Sequence, residues 1–402
     1  MRLKDFSVLN PQYKGESLDC EVSFVPMESL RNGAIDYQDI PYAEGKGKYT
    51  YFQDGDLLVA KVTPCFENGN IAIANNMKQG VGLGSSEIFV LRMNDKVLNT
   101  YMFYITQTAK FQEGACATMC GVGGLKRISP LFMRTYELDI PSLSKQQRIV
   151  DYLDAKLGKI DARIAILEKQ QDAYARLKRS VIYHAVTRGL DPNVFLKDSG
   201  VEWIGMIPKH WELQRFKSIF TECKSVTETG QEDLLSVSEY YGVARRIDKM
   251  EDGEYESRAD SLVGYKVCKK DDLVINIMLA WKRGLGFSDF DGIVSPAYAV
   301  YRGKDIAPHY FHYLMRTDMY VAEYKRNSKG IIDSRLRMYT DRFNNIMAIV
   351  PPLSEQQAIA AYLDEKCSKI DAATENIGKQ IDALKRLKRA LINEVVTGQR
   401  AV

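Results

Sequence analysis

Apolar side chains between residues 141 and 187 fall at Leu153, Leu157, Ile160, Ile164 and Leu167, then at Tyr174, Leu177 and Val181. Steps of four and three mark the seam of a coiled coil. The spacing returns at Leu363, Cys367, Ile370, Ile377, Ile381, Leu384, Leu387 and Leu391, with polar Thr374 interrupting it. The steps from 174 to 177 and from 384 to 387 both slip the heptad phase. The segments that begin at Pro141 and Pro351 align without a gap at an offset of 351 − 141 = 210, with about half of the positions identical, a repeat far beyond chance. Each opens with Ser144 or Ser354, followed three residues later by Gln147 or Gln357, the pattern of a capping box. Each predicts a helix of about 43 residues, roughly 65 Å long. A helix of that length with one apolar stripe needs a partner, and the other copy supplies it, antiparallel. Basic residues cluster toward the end of each helix, at Arg176, Lys178 and Arg179 and at Lys385, Arg386, Lys388 and Arg389, where positive charge suits the helix dipole.

The remaining chain forms two blocks, each preceding one helix. Gly55 to Val59 resembles Asp271 to Ile275, and both read as a turn entering a buried strand. Ile88 to Leu91 parallels Tyr298 to Tyr301 as a second strand, and each is followed by an aromatic helix, YMFYIT or HYFHYLM, whose rings suit a core. The expected fold class is α+β, with two mixed αβ domains separated by two long helices that form an antiparallel coiled coil, a pseudo-two-fold internal duplication. The expected division is a first domain at 1–140, a helix at 141–190, a linker at 191–204, a second domain at 205–350 and a second helix at 351–402.

Composition changes this picture little. A chain of 402 residues suits two or three domains, and 45% hydrophobic with 27% charged residues is ordinary for a globular protein. No run approaches the ~20 apolar residues needed to span a bilayer, and the N-terminal segment lacks the apolar stretch of a signal peptide, so no membrane role and a cytoplasmic location are expected. The seven cysteines are scattered and read as reduced thiols, and the close pair Cys116 and Cys120 has no second pair in zinc-ligand spacing. A net charge of +3 announces no nucleic-acid partner, so any electrostatic footprint is local.

Ile140 to Asp161 and Val350 to Asp371 carry the pattern IPxLSxQQxIxxYLDxKxxKID in whole or large part, and Gly205 to Trp211 reads GxIPKHW. In their order and with the 210-residue repeat, these motifs resemble the specificity-subunit family of type I restriction-modification systems, over nearly the whole chain. The resemblance implies a subunit of a bacterial defence system with two target-recognition domains, each reading half of a split site in double-stranded DNA. It implies as partners two methyltransferase subunits docked on the helices and, through the complex, restriction-translocase subunits. The first domain lacks the GxIPKHW opening, so its N-terminal edge is expected to be trimmed or built differently.

A self-contained methyltransferase or nuclease is the rival reading, and its chemistry is missing. Asn10, Pro11, Gln12 and Tyr13 only approximate the Asn-Pro-Pro-Tyr loop of adenine methyltransferases, with nothing upstream to hold S-adenosylmethionine, and read as a turn. Gly121 to Gly124 lacks the context of a phosphate loop, no Walker A segment occurs, and His309 and His312 read as packing residues. No catalytic, cofactor or metal residue is expected. A coiled-coil scaffold without a DNA role is favoured only by the near-neutral charge. The residues suited to DNA are basic groups among turns and aromatics: Lys61, Lys126, Arg127 and Arg134 in the first block, and Trp281, Lys282, Arg283, Lys325, Arg326, Lys329, Arg335 and Arg337 in the second.

Overall fold

The computed structural model describes residues 1–15, 18–122, 124–249 and 261–402. Gly123 of the glycine-rich segment and residues 250–260 of the second expected domain lie outside them. The chain forms two compact units, residues 1–168 with 378–402, and residues 169–377. Their limits are themselves related by the repeat, since 168 + 210 = 378.

Each unit is centred on a strand whose residues are all buried: Leu57–Ala60 in the first, Leu273–Asn276 in the second. In the first unit it lies within an antiparallel sheet ordered Ser7–Leu9, Ile88–Met93, Leu57–Ala60, Ile71–Ile73. The second unit repeats that order with Phe220–Cys223, Tyr298–Gly303, Leu273–Asn276 and Leu285–Phe287. The turn into the central strand needs a positive φ, met by Gly55 at 88° and by Asp271 at 66°, an acidic residue that tolerates the left-handed region better than most. The carboxylate that follows closes the turn. Asp56 accepts from the Gln53 amide at 2.8 Å and holds Arg92 through two bonds of 2.8 and 2.7 Å. Asp272 accepts from the Lys269 amide at 2.9 Å and holds Arg302 through two bonds of 2.9 Å. The first unit adds a second sheet ordered Gln38–Pro41, Glu21–Val25, Val81–Gly84, Thr50–Gln53, with one parallel pair. Among the described residues of the second unit, the other strands form two-stranded pairs.

The aromatic helices pack as their sequences predict. Tyr101, Met102 and Tyr104 of Asn99–Thr106 join the first core, and Tyr310, Phe311 and Leu314 of Pro308–Met315 join the second.

The long helices run over Leu143–Arg188 and Leu353–Val396. Both begin one residue before the serine, which corrects the capping-box expectation: Ser144 and Ser354 lie inside the first turn, and Gln147 donates to Asp151 instead. The other glutamine of each pair makes the tie. Gln146 accepts from the Leu98 amide at 2.9 Å and donates to the carbonyls of Pro141 and Lys96, both at 2.9 Å. Gln356 accepts from the Ala307 amide at 2.9 Å and donates to the Pro351 carbonyl at 2.8 Å. Both are buried, so each side-chain amide supplies partners to backbone groups at the join between the domain and its long helix. In the second unit, Glu355 of the first helical turn accepts from the Trp211 indole at 2.9 Å and pairs with His210 at 2.8 Å. The His-Trp pair of the GxIPKHW segment thus locks the start of its domain to the helix.

The helices pair antiparallel inside each unit. In the first, Leu153 and Leu157 pack with Leu391, Ile392 and Val395, and Lys388 holds Asp161 at 2.7 Å. In the second, Val186 packs with Ile359 and Leu363, Gln171 donates to the Thr374 carbonyl at 3.3 Å, and Lys178 holds Asp371 at 2.7 Å. The two ion pairs are copies, as 161 + 210 = 371 and 178 + 210 = 388. Of the expected seam, Leu153, Leu157, Leu167, Leu363, Cys367, Ile370, Ile377, Ile381 and Leu391 are buried, and Ile160, Ile164 and Leu384 half-buried. Leu177 and Leu387 point to solvent, 48% and 52% exposed. Half-buried Lys178 and Lys388 take their place one residue on, which restores a step of four after Tyr174 and Leu384. A lysine can do this because its aliphatic stem lies along the seam while its ammonium reaches the carboxylate.

Candidate nucleic-acid interface

The chain leaving each central strand braces a hairpin. In the first unit, Lys61 accepts from the Ile128 amide at 2.8 Å, and Thr63 exchanges backbone and side-chain bonds of 2.9 Å with Lys126 and Gly124. These fix the hairpin of Cys120–Val122 and Leu125–Arg127. In the second unit, Ile277 accepts from the Met338 amide at 2.8 Å, and Lys329 and Arg337 exchange two backbone bonds of 3.0 and 2.9 Å. Glycine is needed at each neck: a Cβ on Gly121 would lie 2.1 Å from the Leu125 carbonyl oxygen, and one on Gly330 2.6 Å from that of Arg335.

The structure sorts the sequence-predicted basic residues. Lys61, Lys126 and Arg127 come together at the first hairpin. Lys126 is exposed, whereas Arg127 spans to Glu87 through bonds of 2.8 and 3.0 Å and holds that carboxyl below the usual range. Lys61 is half-buried with its ammonium 5.1 Å from the Phe89 ring centre, and burial pushes its pKa down. Arg134 is exposed at the end of the short helix Pro130–Thr135.

In the second unit the central strand ends at Asn276, and Trp281 and Lys282 lie in a helical turn followed by Arg283 at a φ of 64°. The Trp281 indole donates to the Met278 carbonyl at 3.0 Å, and the ammonium groups of Lys282 and Lys325 stand 5.0 and 5.2 Å from its ring. Lys325 also reaches Asp333 of the hairpin segment at 2.9 Å, which joins Trp281, Lys282 and the hairpin into one basic surface. Lys329 and Arg335 are exposed on it, and Arg337 is half-buried and donates to its neighbour's carbonyl. Arg283 and Arg326 are held by acidic residues of a helix, Arg283 by Asp318 and Arg326 by Glu323.

Arg316, which the sequence did not single out, donates to the carbonyls of Arg283, Leu285, Glu239 and Tyr240 and fastens three segments behind that surface. Asn10, of the Asn-Pro-Gln-Tyr segment, spends its side-chain oxygen on the Val90 amide at 2.9 Å.

Each unit also has a cleft along its helix pair. In the second, Lys178, His312, Tyr313, Asp364 and Asp371 line about 580 Å³. In the first, Lys388, Phe103, Tyr104, Asp154 and Asp161 line about 430 Å³ at the corresponding positions. Tyr313 donates to Asp364 at 2.8 Å and Tyr104 donates to Asp154. Burial first, and the carboxylate second, push both phenols up.

His312 stands where the first unit has Phe103, and burial, aided by Arg316, holds its pKa down at about 4. A histidine whose folded-state pKa lies below the unfolded 6.5 binds fewer protons when folded, so stability falls as pH drops from about 6.5 toward 4. The expected loss is about 2 kcal/mol. His312→Phe should flatten that part of the melting-temperature profile, and an unchanged slope would remove His312 as its source.

A family profile described as "Type I restriction modification DNA specificity domain" matches residues 16–173. The chain is 34% identical over 152 residues to the type I restriction enzyme EcoEI specificity subunit of Escherichia coli, covering 37% of this chain and 26% of that protein. It is 31% identical over 146 residues to the EcoAI specificity subunit of the same species, covering 35% and 25%. The chain thus spans about a quarter of the length of these relatives. A match to the MjaVIII specificity subunit of Methanocaldococcus jannaschii, 21% identical, covers 79% of this chain and 74% of that one. Among solved structures, a chain from a study of complex assembly and conformational transition of the type I R-M system superposes with a TM-score of 0.74 at 14% identity, covering 98% and 96%. The HsdS subunit from Thermoanaerobacter tengcongensis gives a TM-score of 0.53 at 15% identity, covering 100% and 96%.

Proposed function

We propose that the chain is a member of the specificity-subunit family of type I restriction-modification systems, whose domain profile matches residues 16–173, and that it selects a bipartite sequence in double-stranded DNA and presents it to two methyltransferase subunits. Restriction-translocase subunits join through that complex. Residues 1–140 read one half-site and residues 205–350 the other, with the helices at 141–190 and 351–402 as spacers. The chain itself is non-catalytic, takes no cofactor and acts in the cytoplasm.

The observation that carries this reading is duplication at the level of single side chains. The buried carboxylate with its arginine, the glutamine at the helix start, the seam lysine, the braced hairpin and the polar cleft each occur twice. Two like basic surfaces suit two half-sites, and two like clefts suit two copies of one partner. Lys126, Lys282, Lys325, Lys329 and Arg335 are placed for phosphates or base edges.

Co-expression with the methyltransferase partner, followed by single-molecule sequencing of methylated adenines, tests this. Two short specified blocks with a gap of fixed length are expected, and no methylation without this chain. Turnover by the purified chain alone with S-adenosylmethionine, Mg²⁺, ATP and DNA would refute it.

A further inference from the structure

Val122 and Leu125 at the tip of the first hairpin are 90% and 53% exposed, and Ile331 and Ile332 at the tip of the second are 101% and 53% exposed. Aliphatic side chains held in water contribute nothing to the fold. The necks below them are fixed by definite contacts. Each is pinched by a glycine against a carbonyl and braced on the chain leaving the central strand. The necks are copies, since Gly121 and Gly330 follow the same helix in each unit, Ala109–Ala117 and Asp318–Asn327. Around the apolar tips stand Lys126 in one unit and Lys329 and Arg335 in the other, exposed and with no ion pair among the described residues.

What both units share cannot be what distinguishes their half-sites, so the task of the tips is neutral to sequence. The tip sequences, GVGGL and GIIDS, keep aliphatic character and not identity. A cationic rim around an aliphatic tip suits phosphates flanking a base step better than an apolar groove on a protein.

We propose, on the footing of the DNA-reading function above, that the two hairpins are wedges. The aliphatic tips press between stacked base pairs, the neighbouring cations hold the adjacent phosphates, and the duplex is kinked once in each half-site. Base contacts elsewhere then supply the sequence.

The test uses the assembled complex with its methyltransferase partner and a duplex carrying the methylated sequence, labelled at both ends for energy transfer. The wild-type complex should shorten the end-to-end distance of the duplex. Val122→Ser with Leu125→Ser, and separately Ile331→Ser with Ile332→Ser, should each remove about half of that shortening. Each should also weaken binding about tenfold, the scale of one lost aliphatic burial, while the methylated sequence stays as it was. Since the tips are exposed, the variants should melt like the parent. A duplex left straight by a wild-type complex that binds and methylates it would overturn the wedge, and so would full bending by both variants. Altered sequence in one half-site would make the tip a base reader, and lost assembly with the methyltransferase a protein contact; either overturns the proposal. A wild-type complex that neither binds nor methylates refutes the parent function instead.

Discussion

Leu363→Asp should cost about 5 kcal/mol, enough to leave the second unit largely unfolded, and Leu153→Asp should do the same to the first. Both leucines are 0% exposed, they are copies across the repeat, and each joins the core of its own unit where a long helix crosses it. A carboxylate there finds apolar neighbours in place of water. The same change at Leu177 or Leu387, on the same helices but in solvent, should shift stability by no more than about 0.5 kcal/mol. Chemical denaturation of the four variants reads this directly. If Leu387→Asp were as damaging as Leu363→Asp, the seam would follow the leucines and not the lysines beside them.

Replacing Lys282 and Lys325 by Ala should weaken DNA binding by the assembled complex by about 2 kcal/mol and lower the slope of log affinity against log salt by about two. Both ammonium groups stand over the Trp281 ring beside the second hairpin, and the ring's bond to Met278 keeps it fixed when the charges are removed. If either lysine reads a base, the relaxed specificity should stay within the half-site assigned to residues 205–350. Arg283→Ala is the informative contrast, because that guanidinium donates to the Arg316 carbonyl at 3.0 Å and pairs with Asp318, so its loss should lower stability more than salt dependence. Both half-sites relaxing together in the methylated sequence would contradict one domain for one half-site.

The architecture was legible because its signals are periodic or repeated: the heptads, the 210-residue offset, and the runs at Leu57 and Leu273 that have nowhere to go but a buried strand. Single side chains were less legible, for definite reasons. Gln146 and Gln147 are adjacent amides, and which one turns inward depends on a backbone that is not helical until Leu143. Leu177 and Lys178 differ by about 100° around the helix, and hydrophobicity favours the leucine until Asp371 is known to lie within reach of the lysine. Lys282 and Arg283 look alike in sequence, but only the structure puts the Arg316 carbonyl and Asp318 beside the arginine. The hairpin tips carry no periodic signal, and only their paired glycines mark them.

The lysines set into the seam at 178 and 388 also settle which way two repeated helices lie. Side by side in the same direction and in register, the repeats would set Lys178 against Lys388 and Asp161 against Asp371, each charge facing its like. Reversed, every lysine meets an aspartate, at 2.7 Å in both places. An apolar seam alone accepts either polarity, so these four charges act as a key for orientation, penalising the wrong arrangement more than they strengthen the right one.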